Sequence, residues 1–142
     1  MRVAITVIGL SAAILTASAA QATPPGEIPR GQILRGQILR GQAIFQNRCA
    51  ICHDDSQHML NDVGPALFGV VNRRVGSVQG YRYSPVLKTA GQHGDRWTIE
   101  RLDRLLTEPT SAYYGTSMPA AIASAADRRA MLAYLKTLRP TD

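Results

Sequence analysis

The apolar positions of this chain change rhythm several times, and each change marks a boundary. Behind Arg2, residues 3–20 run through Ala, Ile, Val and Leu with few polar breaks and end in Ala20-Gln21-Ala22. A basic start, an apolar middle and an A-x-A-like end predict a secretory signal peptide over residues 1–22. The run is at the short edge of the ~20 residues that a bilayer span needs, so cleavage is expected over anchoring. Residues 23–29 are proline-rich and patternless. A direct repeat follows: Arg30-Gly31-Gln32-Ile33-Leu34 is copied from Arg35 to Leu39 and varied from Arg40. Its period of five is neither helical nor long enough for a solenoid unit. Residues 23–40 therefore read as a linker and repeat arm, and residues 41–140 as the domain.

Within the domain the spacing of Ile44, Phe45 and Cys49 predicts a first helix from Ala43. Residues 61–84 read as a long loop punctuated by Gly64-Pro65, Gly69, Gly76 and Gly80. Thr98 is placed to cap a second helix with apolar positions Ile99, Leu102, Leu105 and Leu106, stopped by Pro109. Another irregular stretch covers residues 111–121. Ser124 and Asp127 open a last helix that carries Met131, Tyr134, Leu135 and Leu138, with Pro140 behind it. No segment alternates like a strand. The expected class is all-α, with three main helices and long loops.

That layout leaves a thermodynamic gap. Three helices in about 100 residues bury limited apolar surface, and only 6% of the residues are aromatic. A large apolar cofactor at the centre, wrapped by the loops, would close it.

Cys49-Ala50-Ile51-Cys52-His53 supplies the candidate. C-x-x-C-H is the haem c attachment signature. Cysteines three apart on a helix face one way, so both thiols reach the vinyl groups on one haem edge. His53 then follows at the position to offer its imidazole to the iron. With Cys49 and Cys52 the only cysteines, a disulfide would close a loop too small to staple anything, and a thioredoxin-like dithiol would need a βαβ pattern that is missing. For the opposite iron face the candidates are His58, Met59, His93, Met118 and Met131. Met131 lies in the apolar stripe of the last helix, His58 and Met59 follow His53 too closely, and His93 sits in a glycine-rich turn. Met118, in a loop before Pro119, fits best, and its thioether would raise the reduction potential.

Charge narrows the partners. Sixteen Lys+Arg stand against ten Asp+Glu, a formal +6. A modest basic excess suits docking on acidic protein surfaces. Export and the lack of a basic-aromatic stripe argue against nucleic acid.

Taken in order, these motifs resemble class I cytochrome c, of the mitochondrial cytochrome c and bacterial cytochrome c2 branch, over residues 41–138. The resemblance implies a small cytochrome c fold around one covalent haem. Gly41, Phe45, Met131 and Tyr134 match its crossing of first and last helices, and Gly64-Pro65 the turn in which the proline carbonyl accepts a hydrogen bond from the ligand imidazole. Arg73, Tyr83 and Trp97 match the residues around the propionates, and residues 115–118 the distal methionine loop. Leu105 and Leu87 stand where the family often has Tyr and Asn, and Tyr113-Tyr114 where it has an aliphatic and a proline. The implied function is single-electron transfer with His53 and Met118 as axial ligands, without enzymatic activity. Redox proteins of a periplasmic respiratory or dehydrogenase-linked chain are the implied partners, and a membrane is one only if the leader stays. The alternatives are a dedicated haem subunit of a periplasmic dehydrogenase, with the arm as a strap, and a haem-based ligand sensor or weak peroxidase should Met118 be labile.

Overall fold

A computed structural model describes residues 29–119 and 121–140. The expected signal peptide and most of the proline-rich linker lie outside these residues. Among the described residues five helices occur in the order α1 (Arg30–Arg48), α2 (Pro85–Gln92), α3 (Ile99–Thr107), α4 (Pro109–Ala112) and α5 (Ala125–Leu135). Among the described residues there is no strand, only an isolated antiparallel bridge between Arg74 and Arg96. The all-α expectation holds. Three helices dominate and long loops join them.

Helix α1 departs from the expected boundary. It starts at Arg30 rather than Ala43 and takes in the whole repeat. Gln, Ile, Leu and Arg are all serviceable helix formers, and the repeat runs without a break into the packed residues 41–48. The arm is thus two turns and more of exposed helix stacked on a buried end. The buried end crosses α5. A Cβ on Gly41 would stand 2.1 Å from the Ala130 carbonyl oxygen and 2.7 Å from Tyr134 Cβ. Only glycine permits that approach. One turn on, Phe45 packs against Tyr134 with ring centroids 5.8 Å apart. Phe45 and Met131 are each 1% exposed and anchor the core.

Both expected caps form. Thr98 Oγ1 accepts from the Arg101 amide at 3.3 Å, and Ser124 Oγ from the Asp127 amide at 3.3 Å. Helix α5 closes at Leu135, short of the expected Leu138, although Leu138 is still buried. Two short helices escaped the pattern. Pro85 sits in the first turn of α2, where its missing N–H costs nothing. Pro109 ends α3 as expected but also opens α4.

Polar knots hold the 49–84 loop. The Asp54 carboxylate accepts from the Ser56 and Leu60 amides and from Ser56 Oγ. Asn61 donates to Gln79 O at 2.8 Å and accepts from the Ala66 amide at 3.2 Å. Arg128 with Asp103 joins α5 to α3, and Arg40 with Asp127 joins α1 to α5.

Candidate haem site

Helix α1 ends on the first cysteine. Cys49 is its C-cap, and its amide donates to Phe45 O at 2.8 Å. The chain then makes one more turn, with the Cys52 and His53 amides each donating to Cys49 O at 2.9 Å. Both cysteines are free thiols and half-buried. Burial pushes the Cys49 thiol up, and only partly does the neighbouring Arg48 charge pull it back. A thiol held protonated in this way is a poor redox nucleophile, which weighs against a dithiol site.

His53 is fixed by the loop that follows. Its Nδ1 lies 2.7 Å from the Pro65 carbonyl oxygen. With Nδ1 carrying the proton to that oxygen, Nε2 keeps its lone pair free for a metal. Burial lowers the pKa of His53, against the opposing pull of the Pro65 hydrogen bond, so the neutral, ligating form is favoured. Gly64 makes room for the ring: a Cβ there would meet His53 Cε1 at 2.3 Å.

Arg73, Tyr83 and Trp97 converge through Arg73. Its Nη1 and Nη2 donate to Phe68 O at 2.9 Å and Ala66 O at 2.7 Å, while its buried Nε has no partner. Desolvation lowers the Arg73 pKa, and the nearby Tyr83 works in the opposite sense. The Tyr83 hydroxyl accepts from the Val78 amide at 3.3 Å, which leaves its own proton to donate. Trp97 is tied to the same loop by backbone bonds, its amide to Arg73 O and the Asn72 amide to its carbonyl, each 2.9 Å.

Met118 is half-buried and packs on the main core, as Cys49 does. Its amide donates to Thr116 Oγ1 at 3.4 Å. Of the other candidates, His58 and His93 are exposed and Met131 is core. Met59 packs instead on a smaller cluster of Ala66, Val78 and Tyr83.

The family model described as cytochrome c matches residues 38–139. The chain belongs to the cytochrome c family. It is 40% identical over 97 residues to a cytochrome c of Euglena viridis, covering 68% of this chain and 91% of that one. It is 33% identical to a cytochrome c2 of Rhodopseudomonas palustris, covering 68% and 94%. The solved cytochrome c2 of Rhodospirillum centenum superposes with a TM-score of 0.66 at 31% identity, over 72% of this chain and 98% of that one. With the cytochrome c-type cyt cy of Rhodobacter capsulatus it shares 40% identity, but the match spans only 45% of that longer protein.

Family membership brings one covalently attached haem c, and the donor set here fits it. Two free thiols precede an imidazole with an available nitrogen, and the unpartnered Arg73 Nε is a buried donor that a carboxylate would satisfy. A second unpartnered buried atom, Ser84 Oγ, was not singled out from sequence. Nor was Asp55, which accepts a hydrogen bond from the Tyr134 hydroxyl across 79 positions. Neither could have been, because a lone Ser or Asp in a loop carries no local pattern. Tyr113 is 9% exposed and meets the Trp97 ring edge-on at 5.5 Å, so one of the two unusual tyrosines is core; Tyr114, 90% exposed, is not.

Proposed function

We propose that this chain is an exported single-electron carrier, with haem c bound through Cys49 and Cys52 and ligated by His53 and Met118. The observation that carries this reading is the His53–Pro65 contact, which leaves the other imidazole nitrogen free on a residue next in sequence to the free Cys52 thiol. Bound haem supplies a one-electron couple between ferric and ferrous iron. The chain's own residues do the rest. Pro65 fixes the ring and basicity of His53. Arg73, Tyr83 and Trp97 would hold the propionates, with Arg73 Nε and the Tyr83 hydroxyl available as donors. Met118 would supply the other ligand to the iron, and a metal with both ligand positions taken would offer none to a substrate, which favours electron transfer over catalysis. The leader over residues 1–22 directs the chain to the periplasm, where it serves redox partners of a respiratory or dehydrogenase-linked chain.

The test is the Met118→Ala variant, matured with haem-attachment machinery beside Met59→Leu. Mass spectrometry should show haem on both. Met118→Ala should lose the far-red sulfur-to-iron band, bind added imidazole and fall in reduction potential, while Met59→Leu keeps the native potential. A Met118→Ala protein with unchanged potential would refute the ligand assignment.

A further inference from the structure

The arm forms one wall of a groove of about 660 Å³ whose lining includes none of the candidate haem-binding residues. Leu34 and Ile38 of α1 face Leu132 of α5 across it, and Arg129, Lys136 and Arg139 stand on its rim. Leu34 remains 51% exposed, although it lies on the helix face that continues into Gly41 and Phe45. An apolar floor left open in this way is a candidate contact surface.

Its charges say what covers it. Among the described residues, every ionisable one that lines the groove is cationic. On the same two helices Arg40 is matched by Asp127 and Arg128 by Asp103, whereas none of the three rim cations, like Arg30, Arg35 and Arg48 of α1, makes an ion pair among the described residues. Glu100 lies near enough to Lys136 to feel its charge, yet it stands outside the lining and offsets one cation at most. A second copy of the chain would set cation against cation. A flat bilayer would meet the rim and leave the recessed floor unfilled.

We propose that this groove docks an acidic segment of a redox partner protein, with an apolar side chain seated between Leu34, Ile38 and Leu132 and carboxylates on Arg129, Lys136 and Arg139. This rests on the electron-carrier reading. It adds a second foothold, away from the haem-binding loops, that holds the partner without sitting in the electron path. The repeat is then functional: it extends α1 far enough to build the wall.

Oxidation and reduction of the holoprotein by total extract of the source cells, membranes retained, tests the idea. The Arg129→Glu, Lys136→Glu, Arg139→Glu variant should raise KM at least about tenfold, with kcat and reduction potential unchanged. The charge-neutral Leu34→Gln variant should raise KM about threefold through lost apolar contact. A rise in the triple variant alone would mean long-range steering and would overturn the groove. So would wild-type binding to vesicles of phosphatidylglycerol and phosphatidylcholine that the triple variant loses, because the occupant would then be lipid. Wild-type kinetics in both variants would count against the groove and leave the carrier reading intact. A wild-type holoprotein that the extract neither oxidises nor reduces would overturn both.

Discussion

A single hydrogen atom's worth of space decides how His53 sits. Gly64 lies against the imidazole so closely that a methyl group would need the ring's own position, 2.3 Å from Cε1. Gly64→Ala should therefore turn the ring or break its bond to Pro65, since overpacking in a rigid surround costs about 1–3 kcal/mol. Urea denaturation should report that loss and potentiometry a shifted potential; wild-type values in both would mean that the loop yields freely. The motif residues were legible because C-x-x-C-H is contiguous and its spacing is mechanical. Gly64-Pro65 was legible only through the family likeness. The knot at Asp54 was not, because a carboxylate that gathers amides from Ser56 and Leu60 looks in sequence like any polar loop residue.

Helix α1 shows where periodicity misleads. A five-residue repeat turns its side chains steadily around a helix, so Ile33 and Leu39 fall off the face that Leu34 and Ile38 share with Gly41 and Phe45, and the stripe is blurred. Backbone propensity and continuity with the packed end made the helix anyway. The repeat also places three glycines five apart, with opposite roles. Gly31 and Gly36 have nothing within 4 Å of a built Cβ, whereas Gly41 meets α5 at 2.1 Å. Gly31→Ala and Gly36→Ala should each stabilise the protein by at most about 0.5–1 kcal/mol, less if the arm frays before the domain unfolds. Gly41→Ala should destabilise by about 2–3 kcal/mol by prising α1 from α5. Chemical denaturation of the three variants checks the contrast. The haem spectrum should stay native in the first two. Helices α2 and α4 were missed for a different reason: each is too short to show a period, and each starts at a proline that reads as a stop.

At the scale of the whole molecule, the all-α class and the need for a cofactor followed from composition and loop content, while the fastening of the ends did not. Asp55 and Tyr134 are 79 positions apart, yet their hydrogen bond ties the segment just after His53 to the last helix. Burial first, and that hydrogen bond second, push the Tyr134 hydroxyl well above its ordinary range. The unfolded chain, by contrast, ionises this group near pH 10. A group whose pKa is raised on folding contributes its stability below the unfolded value and loses it as pH climbs beyond. Stability should hold up to about pH 10 and then fall, and Tyr134→Phe should flatten that alkaline decline while lowering stability near neutrality by about 1 kcal/mol. Thermal melts between pH 7 and 11 measure it, and an identical alkaline slope in the variant would show that other groups govern it.

The crossing at Gly41 has a consequence for how the molecule is made. Its two halves, Gly41 on α1 and Ala130 on α5, are far apart in sequence, so under the proposed export a chain that crosses leader-first delivers α1 before the α5 on which it closes. Both thiols arrive in that interval, behind a helix that still lacks its neighbour. Threading order would thus hold back the finished fold and leave time for a bulky prosthetic group to be stitched in.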